Sequence, residues 1–257
     1  RAVAALLMFT LAAGCAVVPI TGRRQLSLVP QSDLVELAAR DYEEFLSESD
    51  VSQDPDERAR LALVGGRVAD AAMDFMREHG MERELAEYHW EFALIDDDET
   101  VNAFCMPGGK IAVYTGLLPV AAGDEGLAVV LAHEVAHAIA NHGGERMSQL
   151  LIAELGGMAL ATAIEEKPER TRQLAMLAYG VGTNVAVLLP YSRRHESEAD
   201  RIGLLLMARA GYDPRSAVPF WKRMAAQGEG QPPEFLSTHP SHETRIDDIR
   251  TYLPEAV

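Results

Sequence analysis

The feature that most constrains this chain is the run His133-Glu134-Val135-Ala136-His137, which lies inside an apolar stretch from Leu127 to Ile139. Residues four apart on an α-helix lie one turn apart on nearly the same face, so the two imidazoles converge on one point. Burying two histidines and a glutamate in an apolar helix is costly unless a partner compensates them. This spacing is typical of zinc sites in which the glutamate takes a proton from water. We therefore predict a buried helix with His133 and His137 as metal ligands and Glu134 as general base.

A catalytic zinc also needs a third protein ligand and one open position. Metzincins supply a histidine ten residues after the first and a glycine at seven, but here those positions are Gly143 and Ala140. A glutamate on a second helix is the alternative, and Glu196 is our prediction for it. Asp200 lies one turn further on, where it can accept a hydrogen bond from a ligating histidine. Glu198 lies on a different face of this helix and is the weaker ligand candidate. Without the need for a third metal ligand, both glutamates would be interpreted as part of a solvated charged face.

Hydrophobic periodicity and turn residues predict a mainly helical α+β fold with a small β-sheet beside the active-site helix. Residues 149–190 are unusually apolar but carry Gly180 and Gly182, and their uncharged part is too short for a membrane span. A buried helix or a hydrophobic lid is predicted there. The predicted helices are Leu34–Leu46, Pro55–His79, one opening at Asp124-Glu125, Glu196–Arg209 and Arg215–Ala226, and the predicted strands are Tyr88–Ile95, Val101–Cys105 and Ile111–Tyr114, the last two joined by a glycine turn.

The N-terminus differs from the rest of the chain. Arg1 precedes an apolar run, Ala2–Leu11, that ends in Ala12-Ala13-Gly14-Cys15. A positive residue, a short apolar stretch and a small-residue exit predict a secretory signal, and the cysteine resembles the one that is lipidated in a bacterial lipobox. A plain signal peptide or an apolar helix is the alternative. We expect residues 1–15 to be a signal peptide with lipobox, 16–30 a linker, and 31–257 one metallopeptidase domain anchored to a membrane by acyl chains.

Charge excludes one class of partner. The formal net charge is −16, and the sequence contains no cluster of basic residues that could hold a phosphate backbone, so nucleic acid is not expected as a partner. The only cysteine besides Cys15 is Cys105, which lies in an apolar run and is predicted to be a small buried side chain rather than a catalytic thiol.

Taken together, the motifs resemble those of the HtpX and Oma-type gluzincin zinc metallopeptidases, relatives of the CAAX prenyl proteases, and especially their periplasmic lipoprotein branch. The resemblance rests first on His133–His137 followed by Glu196–Asp200. Further segments match in the same order along the chain. They are Thr21–Leu26 after Cys15, Asn102-Ala103-Phe104 with Pro107-Gly108-Gly109, and Ser237–Ser241 with Arg245-Ile246.

The resemblance implies further roles. Strand Ile111–Tyr114 or its neighbour would be the sheet edge that pairs with an extended substrate, with Asn102 near the cleft. His239 would approach the zinc, either stabilising the oxyanion or occupying the open site at rest. Arg245 would be a further polar contact for substrate. The resemblance implies one zinc ion per chain. It also implies a location in the bacterial periplasm, with a lipid anchor that we expect to lie in the outer membrane.

The predicted function is that of a zinc endopeptidase that cleaves misfolded or misassembled cell-envelope proteins, with Glu134 as general base. One alternative is a metal-bound chaperone or assembly factor with little proteolysis, which would hold clients on the apolar 174–190 region. Another is a different hydrolase, such as a peptidoglycan amidase or an esterase. Oligomeric state has no signature in the sequence.

Overall fold

The structure, a computed structural model, describes residues 15–18, 21–184, 189–227, 235, 239 and 244–257. Helices dominate these residues, and short 3-10 turns lie at Thr115–Leu117 and Pro214–Ser216. The helices are Gln31–Glu48 (α1), Pro55–Glu78 (α2), Glu82–Leu85 (α3), Leu118–Ala121 (α4), Asp124–Ile139 (α5), His142–Ala163 (α6), Glu169–Thr183 (α7), Leu189–Arg209 (α8), Ala217–Ala226 (α9) and Arg245–Ala256 (α10).

Two small sheets accompany the helices. Cys15–Val17 (β1) pairs antiparallel with Arg24–Leu26 (β2). Glu91–Ile95 (β3), Ala103–Met106 (β4) and Lys110–Tyr114 (β5) form a three-stranded sheet in the order β3-β5-β4. This mainly helical fold with one small sheet beside α5 confirms the predicted fold class.

The predicted hairpin is present, and its turn explains the two glycines. Strands β4 and β5 pair antiparallel from Ala103 opposite Val113 to Met106 opposite Lys110. Gly108 and Gly109 have φ values of 82° and 85°, in the left-handed region that side chains with a Cβ rarely adopt. Since β5 lies between β3 and β4, Ile111–Tyr114 is not a sheet edge, and the edge beside the active-site helix is its neighbour β4.

Helix α5 is the centre of the core. Only Asp124, Glu125 and His137 of its residues are more than marginally exposed. The acidic residues of its first turn face the positive end of the helix dipole, and the rest is apolar or belongs to the site. Helices α2 and α8 and strand β4 pack around it. The residues of α2 that are buried in this core include Leu61, Val64, Val68, Phe75 and Met76.

Two glycines allow close packing at α5. A Cβ on Gly203 of α8 would lie 3.3 Å from the Ala132 carbonyl and the His133 nitrogen, so α8 approaches α5 closely beside the site. A Cβ on Gly126 would lie 1.9 Å from the Ala121 carbonyl oxygen, at the sharp turn between α4 and α5. Only a residue without a side chain fits at Gly126 with this backbone.

Helices α6 and α7 form a hairpin whose apolar residues are largely exposed. Tyr179 of α7 donates a hydrogen bond to the Ala153 carbonyl of α6 at 2.7 Å. Of the two interpretations given for 149–190, the buried helix is therefore wrong from Leu150 to residue 184, where the described part of that segment ends, and the hydrophobic lid stays a prediction. From Leu150 onward the two helices pack against each other and not into the core. The exposed apolar residues are Leu150, Leu151, Ile152, Leu155, Met158, Leu174, Met176, Leu177 and Val181.

None of the helices in the described ranges is by itself long and apolar enough to cross a membrane. The segments Thr115–Ala121 and Asp124–Ile139 meet that criterion only as a pair, across a bend of 117°.

The predicted leader, residues 1–15, lies outside the described residues apart from the backbone of Cys15. The segment predicted as a linker, 16–30, contains β1 and β2 and contacts the domain. The backbone N–H of Leu28 donates to the Ser148 hydroxyl of α6 at 3.0 Å, and Gln25 is buried. This segment is therefore packed onto the domain as well as linked to it.

Candidate metal centre

Helix α5 carries the first part of the site. His133 and Glu134 are buried, and His137 is 11% exposed. The Nε2 atoms of the two histidines lie 3.1 Å apart, because one helical turn stacks them on the same face. The predicted pair thus converges, with both Nε2 atoms aimed at one point.

Glu196 of α8 supplies the third donor from a fully buried position. Its Oε2 lies 3.3 Å from His133 Nε2 and its Oε1 lies 3.4 Å from His137 Nε2. Ligands at about 2.0–2.1 Å from a tetrahedral zinc stand roughly 3.3 Å apart. The three donors therefore have the chemistry and the spacing of a zinc site.

His239 joins this group. Its Nδ1 lies 3.1 Å from Glu196 Oε1, and ligand atoms of His133, His137, Glu196 and His239 all lie within 4.8 Å of one another. The four residues could hold a metal ion, so the structure places the predicted His239 at the site itself. Its ring stacks on Phe235, with the centroids 4.6 Å apart.

Asp200 lies behind His133, where the sequence analysis expected it. The His133 Nδ1 is 3.0 Å from Asp200 Oδ1, which leaves Nε2 facing the other ligands. Burial opposes protonation of His133, but its hydrogen bonds with Asp200 and Glu196 outweigh burial and raise its pKa to about 9. Burial lowers the pKa of His137 well below its ordinary value, so that this imidazole is neutral and ready to bind a metal.

Arg245 does not occupy the position expected of a substrate contact. Its side chain is 1% exposed, donates to Asp200 Oδ1 at 2.7 Å and lies 3.4 Å from Glu196 Oε2. The guanidinium covers the ring of Trp221 at 3.3 Å from its centroid. The predicted substrate-binding role does not fit this burial, and Arg245 instead holds the carboxylates of the site.

A second polar layer lies behind His137. His142 Nδ1 is 2.9 Å from His137 Nδ1, and His142 Nε2 is 3.1 Å from Glu198 Oε2. Burial lowers the pKa of His142 to about 4, against the effect of its hydrogen bond with Glu198. Glu198, the weaker ligand candidate from the sequence, thus contacts His142 in this second layer.

Three residues that were not predicted from the sequence complete this layer: Arg23, Glu145 and His195. Arg23 Nη1 and Nη2 donate to the two Glu145 oxygens at 2.9 and 2.7 Å, and His195 Nε2 lies 2.9 Å from Glu145 Oε2. The only available signal was the pattern Thr21-Gly22-Arg23, which we noted as part of the family resemblance without a role.

Glu134 is placed for proton transfer. Burial raises the pKa of its carboxyl, while the charges of His239 and His133 work in the opposite direction. Its Oε1 finds no hydrogen-bond partner among the described residues, and His239 Nε2 is 3.4 Å away. A buried carboxylate oxygen that faces the ligands without a protein partner has room to accept a hydrogen bond from a water molecule.

Asn102 and Cys105 lie just before and within β4, the strand that packs against α5. The Asn102 side chain is buried and its Oδ1 accepts from the Ala103 N–H at 2.9 Å, at the start of β4. This contact holds the strand end, and contact with substrate stays a prediction. Cys105 is partly buried, and burial raises the pKa of its thiol well above its ordinary value, so the thiol stays protonated.

Curated proteins similar to this chain include the mitochondrial metalloendopeptidase OMA1 of Schizosaccharomyces pombe. The two are 41% identical over 174 residues, or 67% of this chain and 49% of the relative. Human mitochondrial metalloendopeptidase OMA1 is 31% identical over 246 residues, or 93% of this chain and 46% of the relative. The beta-barrel assembly-enhancing protease of Escherichia coli K12 is 31% identical over 170 residues, or 63% of this chain and 34% of the relative. The chain spans about half the length of the OMA1 relatives.

The OMA1 relatives contradict the predicted location in a bacterial periplasm with an outer-membrane lipid anchor. Both OMA1 relatives are named as mitochondrial. Of the three relatives described above, one OMA1 protein has the highest identity, and the other aligns with the largest share of this chain. The periplasmic prediction rested on the lipobox-like residues 1–15 and on the resemblance of Thr21–Leu26 to the leader of the periplasmic lipoprotein branch, two short patterns near the N-terminus. It is therefore wrong.

A family match extends across the domain. Residues 64–253 match Peptidase family M48. This stretch begins in α2 and ends in α10, and it contains the four residues that could hold a metal ion, together with Glu134, Asp200 and Arg245. It confirms the metallopeptidase resemblance drawn from the motifs, and the chain belongs to peptidase family M48.

Proposed function

We propose that this chain is a zinc-dependent endopeptidase that cleaves unfolded or misassembled polypeptides. The observation that carries the proposal is the spacing of 3.1–3.4 Å among the donor atoms of His133, His137 and Glu196, with the buried Glu134 carboxylate beside them. Two imidazoles and one carboxylate are a donor set that catalytic zinc takes in peptidases.

The chemistry divides between the ion and the protein. Zinc, when bound, would supply a Lewis acid that polarises the scissile carbonyl and makes water acidic. Glu134 orients the attacking water through Oε1, takes its proton and passes it to the leaving amine. Asp200 and Arg245 keep His133 and Glu196 in place from behind, so that the donors need no rearrangement during the reaction.

His239 can act in one of two ways. Its Nε2 lies 3.4 Å from Glu134 Oε1, where it can donate to the oxyanion of the tetrahedral intermediate, and its Nδ1 lies among the metal donors, where it can complete the coordination at rest. Cobalt substitution separates the two roles. A changed visible spectrum in His239→Ala indicates a ligand, and an unchanged spectrum with a lower kcat indicates a donor.

Strand β4 is the proposed binding surface for an extended substrate. It is an edge strand of the three-stranded sheet and packs against α5. An edge strand offers free backbone N–H and C=O groups that a peptide can pair with as an added strand. Binding of this kind depends on the substrate backbone more than on the substrate side chains, and it therefore suits unfolded polypeptides of varied sequence.

The test is cleavage of an unfolded reporter protein by zinc-loaded enzyme. Glu134→Gln should lower kcat at least about 100-fold, the usual contribution of general base catalysis, while zinc content stays at one ion per chain. Glu43→Gln, an exposed change on α1, is the control and should leave both unchanged. Cleavage that survives a chelator, or equal rates for Glu134→Gln and wild type, would overturn the proposal.

The exposed apolar hairpin α6–α7 favours one second candidate, a chaperone that holds unfolded clients without cleaving them. Leu155 and Leu177 are 60% and 64% exposed, a surface that an apolar client segment can cover. In this case Glu134→Gln should suppress client aggregation as well as wild type does. Leu155→Ser with Leu177→Ser should abolish that suppression, and Leu63→Ser, exposed elsewhere on α2, should not.

A further inference from the structure

A second cluster of ionisable side chains lies directly behind His137, in a layer that the proposed reaction does not use. Its members are His142 and Glu145 of α6, Glu198 of α8 and Arg23 of the N-terminal segment. Each of the first three is buried, and Arg23 is 19% exposed. Buried charges persist only where they are paired, so the arrangement of the pairs indicates the role of the cluster.

The cluster is not a second cation site. Arg23 Nε and Nη2 donate to Glu198 Oε2 at 3.0 and 2.9 Å, and the same guanidinium donates to both oxygens of Glu145. A protein cation therefore already bridges the two buried carboxylates. A guanidinium in this bidentate geometry is held firmly, and it leaves no space between the carboxylates for a metal ion.

The contacts instead form a chain that leads to a metal ligand. Glu198 Oε2 is 3.1 Å from His142 Nε2, and His142 Nδ1 is 2.9 Å from His137 Nδ1. If His137 binds metal through Nε2, its Nδ1 carries the proton and must donate. His142 Nδ1 must then accept, which places the His142 proton on Nε2, where it donates to Glu198. One assignment of protons satisfies every contact in the chain.

The His142 ring is also fixed by packing. It stacks on His195, with centroids 4.3 Å apart and an interplanar angle of 12°. His195 Nε2 contacts Glu145, which Arg23 holds from the other side. The hydrogen bonds and the stack therefore define both the position and the plane of the His142 ring.

The N-terminal segment closes the chain of contacts. Thr21 Oγ1 donates to Glu198 Oε1, so this segment binds both oxygens of that carboxylate, one through Thr21 and the other through Arg23. These residues stand about 175 positions before Glu198 in the sequence and precede the matched family region 64–253. A segment that looks like a linker thus contacts the outer layer of the metal centre.

We propose that Glu198 and His142 form a positioning relay that orients His137 for metal binding, and that Thr21 and Arg23 of the N-terminal segment lock this relay in place. The relay corresponds on His137 to what Asp200 does on His133. It rests on the proposed zinc site, and it assigns the Thr21-Gly22-Arg23 motif a part in metal binding.

The test compares two substitutions of similar size at one position. His142→Phe keeps the ring and its stack on His195 but makes no hydrogen bond, whereas His142→Gln can accept from His137 and donate to Glu198. Loss of a partner behind a ligand typically weakens metal binding about 10–100-fold. We expect His142→Phe to show this loss in a competition titration with a chromophoric chelator and His142→Gln to recover most of the affinity.

A second readout follows His137 directly. In the zinc-loaded wild type, nitrogen-15 NMR should show His137 protonated at Nδ1 with a hydrogen-bonded proton far downfield, and His142→Phe should lose that proton signal. Glu198→Ala should weaken zinc binding in the same direction, as should Arg23→Ala. Arg24→Ala changes the exposed residue next to Arg23, at the start of β2, and should have no effect.

The outcomes separate the relay from the proposed function. A wild-type chain that binds no zinc overturns the proposed function and the relay with it. A wild-type chain that binds zinc, with His142→Phe and His142→Gln equal in affinity, overturns the relay alone. If His142→Phe does not fold by circular dichroism, Glu198→Ala and Arg23→Ala decide, and wild-type affinity in both overturns the relay.

Discussion

Removing Arg23 should destabilise the fold at neutral pH, because Glu145 and Glu198 would lose the cation that they share. Breaking a buried ion pair by removing one partner costs about 3–5 kcal/mol. Both carboxylates are nearly inaccessible, but the Arg23 side chain is 19% exposed, and water screens the pair in part. We therefore expect Arg23→Ala to lower the free energy of unfolding at pH 7 by about 3 kcal/mol, the low end of that range.

Acidification should then reduce this difference. Burial opposes ionisation of both carboxyls, but hydrogen bonds with His195 and Arg23 lower the pKa of Glu145 to about 2, and those with His142 and Arg23 lower the pKa of Glu198 to about 2. A carboxyl with a depressed folded-state pKa stabilises the fold above its unfolded pKa, and that stabilisation is lost as the pH falls toward the folded value. The wild type should therefore lose this contribution between about pH 5 and pH 2, and Arg23→Ala has less of it to lose.

The size of the change follows from the same values. One pKa unit corresponds to about 1.4 kcal/mol. We take half of the stabilisation that the two lowered carboxyl pKa values would give, because water partly screens the guanidinium. Most of that contribution is gone by about pH 3, so the deficit of Arg23→Ala should shrink by about 1–2 kcal/mol between pH 7 and pH 3.

Urea unfolding followed by circular dichroism measures both quantities. The protein is kept metal-free with a chelator, so that loss of zinc in acid does not contribute. Arg24→Ala is the matched control and should unfold like the wild type at both pH values. The reasoning is refuted if the Arg23→Ala deficit is the same at pH 7 and pH 3, or if Arg24→Ala shows an equal deficit.

Two further predictions concern the ligand set and the packing of α5. Glu196→Ala should weaken zinc binding by at least about 100-fold, because roughly 3 kcal/mol of a zinc site's binding free energy falls to each ligand. In equilibrium dialysis, Glu198→Ala should still bind zinc at a free zinc concentration at which Glu196→Ala binds none. Weaker zinc binding by Glu198→Ala than by Glu196→Ala would overturn the ligand assignment. Gly126→Ala should lower the melting temperature by about 2–10 °C, since its Cβ would meet the Ala121 carbonyl oxygen at 1.9 Å. Gly66→Ala points into open space in helix α2 and should raise it by about 1–3 °C, so equal melting temperatures in a thermal scan would contradict the packing argument.

Much of the site could be predicted because its logic is local. His133 and His137 lie one helical turn apart whatever surrounds them, and Glu196 and Asp200 repeat that spacing on α8. The link between the two helices was predicted from the chemistry of zinc, because the ion requires a third protein ligand and the metzincin position for that ligand is occupied by Gly143. The glycines of the β4–β5 turn were equally local signals.

The predictions that failed depended on surroundings instead of spacing. A buried helix was one of the two interpretations of the apolar residues in α6 and α7. Hydrophobicity alone cannot indicate whether the core has space for them, and Leu155 and Leu177 lie on the surface. Arg245 was expected to meet substrate, but α10 turns it inward onto Asp200. The location was inferred from the short segment ending at Cys15 and from the resemblance of Thr21–Leu26 to periplasmic lipoproteins, and the OMA1 relatives, which match most of the chain, contradict it.

The sequence by itself therefore determined the donor types and the turns that present them, because helical spacing acts over four residues and needs no partner. Only the tertiary structure decided which charges meet across the fold. Arg23 pairs with Glu145 and Glu198, more than a hundred residues away, and His142 meets His137 where α5 ends and α6 begins. Such pairs form because burying one charge requires an opposite charge at the same place, and packing decides which residue can supply it.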